Sequence, residues 1–253
     1  MAIVVKTDSQ IERMRKAGRV TAAARKLAHE LIQPGATTEL INKEVYKFIK
    51  KSNAIPTFLG YGGFPASICA SVNEEVIHGI PSKRRVLNEG DIVSIDVGAT
   101  LNGYVGDCAG TYACGTISKE AQDLIDVTRQ SFFEGIKFAK VGYRISDIGA
   151  AVQEYAESHG CGVVRDYVGH GVGSVMHEEP EIPNFGRPGH GARLVKGMTI
   201  AVEPMITAGT WQVKVLSDGW TVVTADGSLA AHYENTLLIT DGEPEILTMS
   251  DDL

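Results

Sequence analysis

The chain has 253 residues, of which 43% are hydrophobic and 22% charged, as in an ordinary soluble globular protein. Its formal net charge of -7 disfavours a nucleic-acid partner, because an acidic surface repels the phosphate backbone. No stretch reaches the ~20 apolar residues that cross a bilayer, and the first residues do not resemble a signal peptide. We therefore expect a cytoplasmic protein without a membrane or specific nucleic-acid partner.

The first half begins with two predicted helices. Apolar residues recur at helical spacing over residues 7–32, with Ser9 as the expected N-cap and Glu12 as its capping-box partner. A Pro34–Gly35 pair ends this helix, and a second helix is predicted over Thr38–Lys51. Three β-rich runs follow, at Ser67–Val72, Asp91–Gly98 and Tyr104–Cys114.

The same order of elements recurs in the second half. Helices are predicted over Ser118–Lys140, with Ser118 as N-cap, and over Ile145–Ser158, with Gly142 as the breaker between them. Strand-like runs follow near residues 161–169, 198–206, 211–215, 220–224 and 231–240. Residues 107 positions apart match on helix faces and breakers, as in Gly35 with Gly142 and Ile41 with Ile148. This pattern favours one α+β domain built from two similar halves, although amphipathic helices can also align by chance.

A hairpin in the first half carries two aspartates. The Asn-Gly pair at 102–103 predicts a two-residue type I′ turn. That turn pairs Asp107 with Gly98 and Asp96 with Ala109, so both aspartates share a sheet face with their Cα atoms about 7 to 8 Å apart. On this feature alone, a metal site and a solvated polar face are equally compatible with the sequence.

Three candidate metal ligands stand in the second half. His170 lies in the glycine-rich segment "YVGHGVGSVMHEEP", Glu203 ends the apolar run in "GMTIAVEPMI", and Glu234 begins the one in "AAHYENTLLIT". Glutamate is depleted in strands, so these positions are unusual. With Asp96 and Asp107 they form four carboxylates and one imidazole, a set that suits two divalent ions and argues against a structural zinc site. We therefore predict a two-metal hydrolase.

This ligand set resembles that of the type I methionine aminopeptidases, a group of pita-bread metallopeptidases, over essentially the whole chain. The segment "NEEVIHGIP" with His78 and the segment "GVGSVMHEEP" with His177 carry the same resemblance. It implies an α+β pita-bread fold, a curved antiparallel sheet with outer helices. It also implies a single catalytic domain over 1–253, with pseudo-symmetric halves at about 7–115 and 116–245.

The resemblance implies a dinuclear centre and its reaction. Asp96 binds one ion, His170 and Glu203 bind the other, and Asp107 and Glu234 bridge both. The ions, of Co, Mn, Fe or Zn, activate a hydroxide that attacks the first peptide carbonyl. The product is the initiator methionine of a nascent protein whose second residue is small.

Further residues receive roles from the same resemblance. Glu203 relays the proton, His177 stabilises the oxyanion, and His78 contacts the scissile amide. The methionine pocket is expected to be lined by Phe58, Tyr61, Phe64, Cys69, Met176 and Trp220, although Phe58 and Met176 are equally compatible with ordinary core positions. We also expect a monomer, with a transient ribosome contact near the basic loop "SKRR" at 82–85.

The sequence also allows a comparison with other functional classes. Proline-directed relatives carry a large extra domain before the catalytic one, whereas this chain begins about ten residues before its first predicted helix. Type II methionine aminopeptidases carry an insertion between the positions of His170 and Glu203, where this chain leaves little room. A non-catalytic binding module would have lost metal ligands, but all five positions are occupied here. Creatine-like amidines are a weaker alternative substrate.

Overall fold

The computed structural model describes residues 2–249 of the chain. Within this range the helices are α1 (Asp8–Glu30), α2 (Thr38–Lys51), α3 (Lys119–Ile136) and α4 (Ile145–Ser158). The strands are β1 (Ile55–Pro56), β2 (Ile68–Val72), β3 (Glu75–Ile77), β4 (Ile92–Leu101), β5 (Tyr104–Ala113), β6 (Gly162–Val163), β7 (Gly169–Gly171), β8 (Glu178–Ile182), β9 (Thr199–Val202), β10 (Met205–Thr207), β11 (Val213–Val215), β12 (Val222–Thr224), β13 (Ala230–His232), β14 (Glu234–Leu238) and β15 (Glu245–Ile246).

The capping prediction for α1 is wrong by two residues. Thr7, not Ser9, is the N-cap, and the Gln10 side chain accepts a hydrogen bond from the Thr7 backbone N–H at 2.8 Å. The capping box therefore pairs Thr7 with Gln10 and leaves Glu12 outside it. Ser9 already lies within the first helical turn, where a residue cannot act as the cap.

The bounds of the other helices agree better with the sequence. The predicted limits of α2 and α4 are confirmed, and each helix has 14 residues. Helix α3 begins after Ser118, whose Oγ accepts from Ala121 N–H at 3.1 Å. It ends at Ile136 rather than Lys140, because the next turn tightens into i to i+3 hydrogen bonds such as Phe138 N–H to the Gly135 carbonyl.

The main antiparallel sheet joins strands from both halves of the chain. Nine strands of the described range belong to it, and its central order is β1-β4-β5-β14-β9-β7-β8. The β4–β5 hairpin turns at Asn102 and Gly103, with φ values of 52° and 78°, as the type I′ turn requires. The predicted register is confirmed, since Gly98 faces Asp107.

The apolar face of β4 packs against the helices. Val93, Ile95 and Val97 are fully buried in one cluster with Ile41 and Val45 of α2. Side chains alternate along a strand, so the residues between these valines and isoleucine point to the other face of the sheet. The helices therefore cover the face opposite the hairpin aspartates.

Alpha-helices and antiparallel strands together confirm the predicted α+β class. Across residues 2–249, none of the helices combines the length and the apolar character that a bilayer span requires.

Candidate metal centre

Strand register brings three candidate ligands to one face of the main sheet. Ala109 of β5 pairs with Asp96 of β4 on one side and with Glu234 of β14 on the other. Directly paired residues point to the same face of a sheet. Asp107 is two residues from Ala109, so its side chain emerges on that face as well.

The other two candidates reach the same face through β9. Ala201 pairs with His170 of β7 and with Thr236 of β14, and Thr236 lies two residues from Glu234. Glu203 follows β9 directly, two residues beyond Ala201. All five predicted ligands thus come from adjacent strands and share one side of the sheet.

Side-chain distances show how closely these groups converge. Single donor atoms of Asp107, His170 and Glu234 lie within 4.8 Å of one another. The His170 Nε2 atom is 3.6 Å from Asp107 Oδ2 and also 3.6 Å from Glu203 Oε1. This spacing suits ligands arranged around a shared cation.

The orientation of His170 is fixed by its own strand. Its Nδ1 lies 2.8 Å from the Gly171 carbonyl oxygen, which can only accept a hydrogen bond. Nδ1 therefore carries the ring hydrogen, and the lone pair of Nε2 faces the carboxylates. Burial lowers the pKa of His170, which favours the neutral ring that a metal ligand requires.

Burial raises the pKa of all four carboxyl groups. That of Asp107 rises to about 8, and those of Asp96, Glu203 and Glu234 rise well above their usual range, partly through mutual repulsion. In the described range, three carboxylate oxygens are buried without a hydrogen-bond partner: Asp96 Oδ1, Asp107 Oδ1 and Glu234 Oε1. Four buried acids with unpartnered oxygens require compensating positive charge. Divalent cations fit this donor set.

All thirteen residues predicted for the site line one cavity of about 190 Å³. The metal candidates form one part of its wall, and the histidines and aromatic residues form the rest. Three lining residues are missing from the prediction: Ile77, Tyr167 and Val168. Tyr167 and Val168 are the first two residues of the glycine-rich segment that carries His170, but neither belongs to a pattern that marks a binding site.

His78 directly follows β3 in a left-handed backbone conformation. Its φ of 58° is unusual for a residue other than glycine and is typical of functional sites. The ring makes edge contacts with Tyr167 and Trp220, at centroid distances of 5.8 and 6.3 Å. Burial, with a smaller effect of His177, lowers the pKa of His78 to about 4. Its ring is therefore neutral near pH 7.

His177 lies beside the carboxylate cluster, with its ring centroid 4.3 Å from that of His170. Its Nδ1 is 2.7 Å from the hydroxyl of Tyr61. Burial, and then His170, lower the pKa of His177 to about 4. The ring is neutral near pH 7 and can donate one hydrogen bond.

The apolar wall of the cavity is also part of the core. Phe58, Phe64, Cys69 and Met176 are buried in one cluster, against which Trp220 packs. The ring of Phe64 meets that of Trp220 edge to face at 5.2 Å. Phe58 and Met176 therefore line the cavity and fill the core at the same time, so the two alternatives for them are compatible.

One further buried histidine lies beside the cluster. His232 ends β13, and its Nε2 lies 3.8 Å from Glu203 Oε2 without a hydrogen-bond partner among residues 2–249. Burial is the main reason that its pKa falls to about 3. Its place two residues before Glu234 is the one sequence signal for this position.

Comparisons with known proteins agree with this geometry. A model of metallopeptidase family M24 matches residues 12–241. The methionine aminopeptidase of Clostridium acetobutylicum is 60% identical over 247 residues, covering 98% of this chain and 99% of that protein. Methionine aminopeptidase 1 of Bacillus subtilis is 50% identical, covering 97% of this chain and 99% of its own length.

Solved structures show the same relationship. The crystal structure of methionine aminopeptidase from Thermotoga maritima matches with a TM-score of 0.97 at 49% identity, covering 98% of this chain and all of that chain. The predicted pita-bread fold is thereby confirmed. The chain belongs to metallopeptidase family M24 and, within it, to the type I methionine aminopeptidases.

Proposed function

We propose that this protein removes the initiator methionine from nascent proteins whose second residue is small, with two divalent metal ions in its site. The observation that carries the proposal is the sharing of one sheet face by four buried carboxylates and His170, beside an apolar cavity. The relatives named methionine aminopeptidase support the reaction and the substrate. Co, Mn, Fe and Zn are the candidate ions.

The proposed metal ligands are Asp96, Asp107, His170, Glu203 and Glu234. Metal ions held there supply Lewis acidity, which polarises the peptide carbonyl and makes water more acidic. The carboxylates bind and neutralise that charge, and the neutral His170 contributes the lone pair of Nε2.

Three side chains are proposed to act on the substrate itself. Glu203 takes a proton from the attacking water at its carboxylate and passes it to the leaving amide nitrogen. His177 donates a hydrogen bond from Nε2 to the oxygen that gains negative charge, and His78 contacts the scissile amide. The pKa values of both histidines are about 4, so both rings are neutral near pH 7. A neutral ring carries one N–H group, which can donate a hydrogen bond to the substrate.

The apolar part of the cavity is proposed to bind the methionine side chain. An unbranched thioether is flexible and makes favourable contacts with aromatic rings. A pocket of this kind discriminates side chains that differ by one methylene group by only about 1 to 3 kcal/mol, so the preference is graded. Its wall is formed by Phe58, Tyr61, Phe64, Cys69, Met176 and Trp220.

The setting of the enzyme follows from this role. Nascent chains are made in the cytoplasm, which is the proposed location of this protein. We propose that it acts there as a monomer that contacts the ribosome transiently. Residues 1–253 are proposed to form one catalytic domain of two related halves. The pairing of β5 with β14 and the equal lengths of α2 and α4 support that division.

Peptide release tests the proposal directly. Metal-free protein given Mn²⁺, Co²⁺ or Fe²⁺ should release methionine from Met-Ala-Ser and should not cleave an X-Pro peptide faster. Asp107→Ala should abolish release, whereas Asp126→Asn, on the surface of α3, should not change it. Absence of release with every ion, or full activity of Asp107→Ala, would overturn the proposal.

The chain's own second residue is Ala2, so mass spectrometry should show that Met1, which lies outside the described residues, is removed in active preparations.

A further inference from the structure

A second cavity, of about 260 Å³, lies between helices α1 and α3 and strands β5 and β13. Gly110 and Tyr112 of β5 line it, and by strand alternation they point away from the face that carries Asp107. This cavity, called here the rear cavity, shares no lining residue with the one lined by the metal candidates, and His232 lies between the two, 3.8 Å from Glu203.

Arg25 of α1 lines the rear cavity as a buried cation. Arg25 is only 1% exposed. Nη1 donates to the carbonyl oxygens of Ala109 and Glu234, at 2.9 and 3.2 Å, and lies 3.5 Å from Asn235 Oδ1. Nε has no hydrogen-bond partner among residues 2–249. A buried guanidinium is normally paired with an anion. Arg25 contacts neutral groups directly, including the Tyr233 ring at 5.9 Å, and the Glu234 and Asp96 carboxyl groups interact with its charge over a longer distance.

The rear cavity is lined by three further basic side chains, Arg129, His29 and His232, and within the described range its lining contains no aspartate or glutamate. Arg129 of α3 is exposed at the cavity, with its guanidinium carbon 5.5 Å from the Phe133 ring centroid. His29 stacks on Tyr112 with ring centroids 4.1 Å apart. The space is therefore bordered by positive charge at its buried end and at its exposed side.

We propose that the rear cavity binds a small oxyanion through Arg25 and Arg129. Guanidinium groups hold carboxylates and phosphates by paired, charge-assisted hydrogen bonds, and both Arg25 and Arg129 line the rear cavity. A volume of about 260 Å³ exceeds the ~30 Å³ share of one water molecule several-fold, so it accommodates such a ligand. The proposal does not rest on the proposed peptidase reaction, because neither arginine is a proposed metal ligand; Arg25 touches that set only through the backbone carbonyl of Glu234.

Inorganic phosphate and malonate are suitable probes for the two kinds of oxyanion. Each is titrated into metal-free protein at constant ionic strength, with chloride as the reference, so that no active-site ion can capture the probe. Thermal unfolding and the ring resonances of His29 are followed. A saturable rise in Tm with shifts at His29 supports the site, and the probe with the larger effect identifies phosphate or carboxylate as the preferred group. If neither probe raises Tm or shifts the His29 resonances more than chloride does, the proposal is overturned.

Variants locate the binding. Arg25→Met and Arg129→Met should each weaken the apparent affinity about tenfold or more, because each removes a charge-assisted contact. Arg13→Met is the matched control, since Arg13 lies on the same helix and its side chain contacts the Tyr104 ring. Wild-type affinity in Arg129→Met, whose side chain is exposed, would contradict the proposal even if Arg25→Met does not fold.

Discussion

The hydroxyl of Tyr61 lies 2.7 Å from Nδ1 of His177, across 116 positions of the chain. The neutral imidazole of His177 carries a single ring hydrogen. When the tyrosine hydroxyl donates to Nδ1, that hydrogen resides on Nε2. Tyr61 thus favours the tautomer that can donate to a developing oxyanion, and so it has a second use besides lining the pocket.

Tyr61→Phe should therefore lower kcat for Met-Ala-Ser about 3- to 10-fold, the effect of losing one neutral hydrogen bond. Metal content should stay unchanged, and ¹⁵N NMR of the His177 ring should show a larger share of the Nδ1–H tautomer. Tyr46→Phe is the control, because Tyr46 is exposed on α2. Unchanged kcat together with an unchanged tautomer in Tyr61→Phe would show that this contact has no catalytic role.

The metal-free protein should lose stability as the pH rises from about 6.5 to 8. A carboxyl group whose pKa is raised by folding binds more protons in the folded state, so its contribution is present at low pH and is lost as the pH rises through the folded pKa. For Asp107 that value is about 8. The buried histidines, with pKa values lowered by burial, act in the opposite direction only below about pH 6.5.

Urea unfolding of metal-free protein across this pH range measures the effect. Asp107→Asn should reduce the pH dependence, because it removes one of the groups responsible, whereas Asp126→Asn on α3 should leave it unchanged. Stability that stays level or increases between pH 6.5 and 8 in metal-free wild-type protein would be inconsistent with the buried, protonated carboxyl groups.

Metal binding should stabilise the folded protein. At a free Mn²⁺ concentration 100 times the dissociation constant, linkage gives about 2.7 kcal/mol, a rise in Tm of roughly 5 to 10 °C for a protein of this size. Glu234→Gln should abolish most of that rise and lower the bound metal measured by mass spectrometry. Glu154→Gln, on the exposed side of α4, should bind metal as the wild type does. Equal metal content in both variants would remove Glu234 from the ligand set.

The apolar cavity should respond to a single methyl group on β4. A Cβ at Gly98 would lie 2.5 Å from Cε1 of Phe58, so Gly98→Ala must displace that ring. Because the ring lines the cavity, we expect KM for Met-Ala-Ser to rise about tenfold or more, within the usual range for an altered apolar pocket. Metal content should not change.

Gly242→Ala is the matched control for this substitution, because a Cβ there meets nothing closer than 4.0 Å. Unchanged KM in a folded Gly98→Ala protein would show that Phe58 does not shape the methionine pocket.

Local chemistry explains why much of the site was predictable. The register between Gly98 and Asp107 follows from a two-residue turn, which acts over a few neighbouring positions. The limits of α2 and α4 likewise follow from nearby breakers and apolar periodicity. The ligand types themselves stand in the sequence, as acids embedded in apolar strands.

The tertiary structure decided how distant segments meet. The contact of Tyr61 with His177, the approach of His232 to Glu203 and the burial of Arg25 behind β5 each join segments far apart in the chain. No periodicity or spacing encodes such pairs, because they depend on how β14 docks beside β5 and on which groups that docking removes from water. The sequence by itself determined the elements and the acidic donor set, whereas packing determined their neighbours, their protonation and the second, basic cavity.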